Sequence, residues 1–156
     1  MAKWGLDFVH SVRDEKVPVP PFAAHLQLRQ GVKFEEIAEG RVVQTWTVAP
    51  HFTLPDGIIQ GGTLCVVADM SQTMAIFTTL DAFETWPTLD FHIRFVRPIR
   101  AGDAVRIESR VVNKSRSNAV IETTFASADG KLLARVTGGW TRADRQRETM
   151  VPKAST

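Results

Sequence analysis

Asp56-Gly57-Ile58-Ile59-Gln60-Gly61-Gly62-Thr63-Leu64-Cys65-Val66-Val67-Ala68-Asp69-Met70-Ser71-Gln72-Thr73-Met74-Ala75-Ile76-Phe77-Thr78-Thr79-Leu80 is the stretch whose reading decides the fold. After the glycine pair the apolar residues cover more than one stripe of a helix. Such a helix is buried on most sides and needs a sheet curved around it. It is expected to end between Leu80 and Phe83. One carboxylate, Asp69, stands in its middle. A buried carboxylate costs several kcal/mol unless it is paired or hydrogen-bonded, so Asp69 is the first candidate for chemistry. Gly61 and Gly62 leave the start of the helix bare, where free N–H groups and the positive end of the helix dipole can meet a carbonyl oxygen.

Working outward, Trp4, Phe8, Val9 and Val12 have near-helical spacing, and the helix they imply stops at the prolines of Val17-Pro18-Val19-Pro20-Pro21. Phe22 to Leu28 reads as a further helical turn. Strands follow from Val32, with a turn at Glu39-Gly40, and Pro50 to Pro55 is a loop. Beyond the central helix, Leu89, Phe91, Ile93 and Phe95 alternate with polar neighbours at a period of two. Val105 to Val112, Ala119 to Ala126 and Leu132 to Arg142 read as three more strands, the last two joined by Asp129-Gly130. The expected class is α+β, an antiparallel sheet wrapped around one long helix. Residues 1–21 form an N-terminal helix and Pro-rich connector, 22–142 the main domain and 143–156 a polar tail that frays.

The net charge of +2 without a dense Lys/Arg run argues against nucleic-acid or membrane-surface binding. Cys65, the single cysteine, has no internal disulfide partner and reads as a packing thiol in a reducing compartment. The N-terminus lacks a signal-peptide core and no apolar run spans a bilayer, so the expected location is cytoplasmic. A sheet covered by one helix usually finds further cover in a second subunit, so a homodimer is expected, or a dimer of dimers.

The chain resembles the hotdog-fold acyl-CoA thioesterases, in particular the phenylacetate-pathway-type branch. Gly57-Ile58-Ile59-Gln60-Gly61-Gly62 followed by Asp69 is similar to that family's G-x-x-H-G-G pattern with an acid nine positions after the histidine. Thr88-Leu89-Asp90-Phe91-His92-Ile93-Arg94-Phe95-Val96-Arg97-Pro98 with Ala101-Gly102-Asp103, and Asp129-Gly130-Lys131-Leu132-Leu133-Ala134, resemble its later strand and hairpin motifs. The likeness runs from about Phe22 to Thr141. It implies a hotdog fold that hydrolyses acyl-CoA thioesters, with CoA as part of the substrate and no separate cofactor or metal. The Gly61 N–H would polarise the thioester carbonyl. Asp69, reached from the partner subunit, would be the base or nucleophile, and the Thr88 hydroxyl would help position water. Gln60 stands in place of the histidine and Leu54 in place of an asparagine; the Gln60 amide still offers a donor.

Gly62 lies at the same bare helix start. Ile58, Ile59, Met70, Phe77, Phe83 and Trp86 are candidates to line an acyl pocket, with plain core packing as the alternative. Trp86 to Asn118 carries a local excess of four positive charges, and Arg97 and Arg116 are the first choices for CoA phosphates. Thr73 is an alternative partner for Asp69, and His51 could fold over the site, whereas His92 lies on the polar register of its strand. Two rival functions remain open at this point: a non-catalytic acyl-CoA or aromatic-ligand binder, and a hydratase or dehydratase using Asp56 near the helix start.

Overall fold

The computed structural model of the protein describes residues 3–143. Six antiparallel strands form one sheet in the order β1-β2-β4-β5-β6-β3: β1 Val32–Ala38, β2 Arg41–Thr47, β3 Thr88–Phe95, β4 Ala104–Lys114, β5 Asn118–Ala126 and β6 Leu132–Thr141. Two of the three hairpins turn where glycine supplies the left-handed backbone, β1–β2 at Gly40 (φ 70°) and β5–β6 at Gly130 (φ 84°). β1–β2, β4–β5 and β5–β6 pair as chain neighbours, whereas β2 pairs with β4 and β3 closes on β6. That leaves β3 as an edge strand.

The long helix α4, Gly62–Phe77, lies across one face of this sheet. Its first half packs Leu64, Val67 and Ala68 against Trp46, Ile107, Phe125 and Val136, while its second half packs Met74, Ala75 and Ile76 against Val42, Ile121 and Trp140. The helix is shorter than the sequence implies. Thr78 and Thr79 turn their hydroxyls back onto the carbonyls of Ala75 and Ile76, at 2.6 and 2.7 Å, and this competition with the backbone ladder ends it.

A chain of buried hydrogen bonds fixes how α4 sits on the sheet. Trp140 Nε1 donates to Gln72 Oε1 at 2.8 Å, Gln72 Nε2 donates to Thr123 Oγ1 at 3.0 Å, and the Ser109 hydroxyl links Thr123 to Ser71, both at 2.7 Å. Each member has a partner, so the network gives register without leaving an unsatisfied group. Gly138 makes room for it, because a Cβ there would lie 2.0 Å from Gln72 Oε1.

The N-terminal helix α1, Trp4–Arg13, crosses the end of α4. Gly5 N–H donates to the Leu80 carbonyl at 3.0 Å, and its Cα passes so close that a Cβ would fall 1.6 Å from the Phe77 carbonyl oxygen. Trp4, Phe8, Phe77 and Phe83 form an aromatic cluster over this crossing. After α1 the connector runs back along α4 to two short helices, α2 Pro21–His25 and α3 Leu28–Gly31. Residues 144–156 of the expected polar tail lie outside the described residues.

Candidate active site

The face of α4 that the sheet leaves uncovered carries Thr63, Val66, Asp69, Met70, Thr73 and Phe77, all half-buried and spaced by three or four residues. Asp69 is at the centre of that stripe. Its partner comes from the start of β3, where the pairing slips: Thr88 pairs with Trp140 and Asp90 with Gly139, so Leu89 is left over as a bulge. Thr88 Oγ1 donates to Asp69 Oδ1 at 2.6 Å. Thr73, the alternative partner, donates instead to the backbone carbonyl of Asp69 at 2.8 Å. Oδ2 of Asp69 accepts no hydrogen bond from the described residues. The bulge also explains why Leu89, on the expected apolar register, is 61% exposed.

Asp69 forms part of the wall of a cavity of about 380 Å³. The cavity is open to solvent on one side and lined by α4, by Phe8 and Val12 of α1, by Val17 to Pro20 of the connector, and by Val32, Phe34 and Gln44 of β1 and β2. That volume is within the range of small-molecule pockets, about 300–1,000 Å³. Of the apolar candidates, Met70 and Phe77 line it. Ile58 and Phe83 do not, Ile59 belongs to the core under the sheet, and Trp86 is buried in the second core with its Nε1 donating to Glu84 at 2.9 Å. The contributions of α1 and the connector were not apparent from the sequence; the only signal was the apolar face of α1, which has to cover something.

At the other end of α4, the N–H groups of Gly61 and Gly62 have no acceptor among the described residues, whereas those of Thr63 and Leu64 close a tight turn onto Gln60 and Gly61. The Gln60 side chain folds beside Gly62, its Oε1 being 2.8 Å from where a Gly62 Cβ would be. The ring of Phe95 covers one side of Gly61. Exposed donors at a helix start can hold a carbonyl oxygen or an oxyanion. Eight residues of helix separate Gly61 from Asp69, about 12 Å along the axis, too far for one chain's pair to act on one carbonyl.

The remaining sequence candidates have other surroundings. His51 bonds the Leu26 carbonyl through Nε2 at 3.0 Å, and Asp56 accepts the Ile58 N–H at 3.0 Å in a local turn. His92 and Leu54 are exposed. Arg97 donates to the Leu132 carbonyl at 2.6 Å, and Arg116 is exposed at the β4–β5 turn. Among the described residues no group of three or more His, Cys, Asp or Glu side chains is placed to hold a metal ion, and no helix is long and apolar enough to cross a membrane.

A six-stranded antiparallel sheet wrapped over one long helix that carries a lone acid is the hotdog architecture. Residues 56–134 match the thioesterase superfamily, and the chain belongs to that family. A Saccharolobus solfataricus protein named as an esterase is 32% identical over 109 residues, covering 70% of this chain and 76% of that one. A phenylacetic acid degradation-related protein of Ralstonia eutropha JMP134 is 25% identical over 85% of this chain and 98% of its own, with a TM-score of 0.73. A Streptococcus mutans UA159 protein solved with acetyl CoA shares the fold at 20% identity and TM-score 0.67, covering 72% of this chain and 88% of that one.

Proposed function

We propose that this chain hydrolyses acyl-CoA thioesters at a site shared between two copies, Asp69 from one and Gly61 from the other. The observation that carries this is Asp69 in the lining of a largely apolar cavity, with one carboxylate oxygen held by Thr88 at 2.6 Å and no described residue donating to the other. Asp69 takes a proton from water as the water oxygen attacks the thioester carbon. The oxyanion of the tetrahedral intermediate is held by the partner's Gly61 N–H, with the Gln60 amide beside it. The carbon–sulfur bond then breaks, CoA leaves as a thiolate, and Asp69 gives up the proton it took from water to the departing sulfur or to solvent, which restores the carboxylate. Gln60 has no titratable ring, and none is needed, because a thiolate is a good leaving group.

The roughly 12 Å between Gly61 and Asp69 on one helix is what calls for the second copy. The free edge of β3 offers it a place, since Phe95 and Val96 are 56% and 44% exposed there and the edge has unpaired backbone groups. Two β3 edges pairing about a two-fold axis would continue the sheet and bring the helices together. Arg116, with no ion pair among the described residues, and Arg97 are available to CoA phosphates. The acetyl CoA held by the Streptococcus mutans structure supports a CoA ester as substrate.

Release of free thiol from a panel of acyl-CoA esters tests the proposal. The wild type turns over at least one ester, and Asp69→Asn lowers that rate by ~100-fold or more, the lower end of what a positioned general base contributes. Tight binding of the esters without thiol release would make the protein a binder instead, and an Asp69→Asn variant as active as the wild type would remove Asp69 from the mechanism.

A further inference from the structure

Thr88 reaches Asp69 because β3 breaks its own alternation. Residues paired across two strands share a face of the sheet, and successive residues alternate between faces. Phe91 pairs with Gly138 and Ile93 with Val136, and both pack into the core on the α4 side. Asp90, His92 and Arg94 point the other way and are exposed. In an unbroken ladder Leu89 would pair with Trp140 on the α4 side, and Thr88 would point outward with Asp90, on the opposite face from Asp69. Instead Thr88 pairs with Trp140, whose Nε1 bonds Gln72 of α4, and Leu89 is pushed out to 61% exposure.

The unbroken register competes with the one observed. It would bury Leu89 beside Phe91 and continue the apolar alternation of the strand, and apolar burial is favourable. In one copy β6 is the single strand beside β3, so no second neighbour fixes its register. Two side-chain hydrogen bonds belong to the bulged register and oppose the slip. One is that of Thr88 to Asp69; in the other, Asp90 Oδ1 accepts the Gly139 N–H at 3.2 Å. Side chains of a regular strand stand away from the ladder, roughly perpendicular to the sheet, and the bulge is what tilts the Asp90 carboxylate onto a ladder N–H. Gly139 leaves room for it, since a Cβ there would lie 2.7 Å from Asp90 Oδ1. We infer that Asp90 is a positioning residue of the Asp69 site: its carboxylate on the Gly139 N–H holds the Leu89 bulge, and the bulge keeps Thr88 on the face of the sheet where Asp69 lies. The inference rests on the thioesterase reading for its kinetic effect, whereas the register itself can be read without turnover.

The experiment combines thiol release from an acyl-CoA ester that the wild type turns over with crystal structures of the variants. Asp90→Ala lowers kcat by ~10-fold or more, the lower end of what loss of the Thr88 hydrogen bond brings, and leaves KM within about twofold. Asp90→Asn, which keeps an acceptor oxygen, retains most of the rate. Added to Thr88→Val, Asp90→Ala lowers kcat by no more than about twofold further, because both act through one contact. Leu89→Gln, which makes the inward register costly, restores much of the rate to Asp90→Ala. Gly139→Ala, whose Cβ displaces the carboxylate, is the second variant and gives the same loss, and thermal melting confirms that each protein is folded. An Asp90→Ala enzyme within about twofold of the wild type, or a loss of full size in the Thr88→Val background, overturns the inference and leaves the thioesterase reading intact. If no ester releases thiol, the thioesterase reading falls and the crystal structures decide. Leu89 turned in opposite Trp140 in Asp90→Ala, with Thr88 off Asp69, upholds the role of Asp90, and an unchanged register overturns it.

Discussion

Thr88→Val removes one hydroxyl and little else. Valine keeps the β-branched shape that suits the start of β3, and the side chain is half-buried, so the change in stability is small. What is lost is the 2.6 Å hydrogen bond to Asp69 Oδ1. Hydrogen bonds to charged groups are worth about 1.5–3 kcal/mol, and if Thr88 holds the carboxylate in its productive orientation most of that is lost from the transition state. At 1.36 kcal/mol per decade, kcat/KM falls by about 10- to 100-fold, mainly through kcat. Steady-state thiol release with an ester that the wild type turns over measures it. Thr88→Ser, which keeps the hydroxyl, recovers most of the rate. In an Asp69→Asn background the same substitution adds little, since the two act as a unit. A Thr88→Val enzyme within twofold of the wild type would show that the bulge in β3 does not serve the carboxylate.

Gly138→Ala puts a methyl group 2.0 Å from Gln72 Oε1 and 2.9 Å from Trp140 Nε1, in a network with no slack. Urea denaturation should show a loss of about 2–4 kcal/mol from overpacking and broken buried hydrogen bonds, and an unchanged midpoint would mean that the network does not hold α4 in register. Glu108 is bound by Arg41 at 2.8 Å, Arg106 at 2.8 Å and Arg110 at 3.1 Å, and these hydrogen bonds hold its carboxyl at about 2 against the usual 4.5. Because its folded value is the lower one, Glu108 stabilises the fold fully above about 4.5 and loses that contribution as the pH falls towards 2. Glu108→Gln therefore costs about 1–2 kcal/mol at pH 7, after allowing for solvent screening of a cluster at the surface, and nothing near pH 2. Melting curves across that range that stay parallel for the two proteins would contradict it.

The parts of this fold that were legible in the sequence are those with a local signature. The all-round apolar run after Gly61-Gly62 placed α4, strict alternation placed β3, and Asp129-Gly130 placed the β5–β6 turn. Within the site, Asp69 was conspicuous because a lone acid in an apolar helix needs an explanation. Thr88 was named through family likeness, but the Leu89 bulge that brings it to the carboxylate depends on how β3 slips against β6, which no local pattern encodes. Gln72 and Ser71 read as two polar residues in a greasy helix, and their partners Ser109, Thr123 and Trp140 lie 38 to 68 residues away along the chain. The cavity was equally hidden, since it exists only because α1 and the connector fold back over α4.

The claim that hydrolysis needs Asp69 of one copy and Gly61 of another is tested most directly by mixing two inactive variants. Asp69→Asn removes the base. Gly61→Pro removes the N–H donor at a φ of −57° that proline accepts, with the exposed Phe95 ring able to give way at the 3.1 Å contact. Each variant alone should be nearly inactive. Unfolded together and refolded at equal concentration, they form mixed dimers in which one of the two sites has both wild-type groups, and thiol release returns to about a quarter of the wild-type rate if assembly is random. A mixture that stays as inactive as its two components would place both groups in one chain's site and contradict the account.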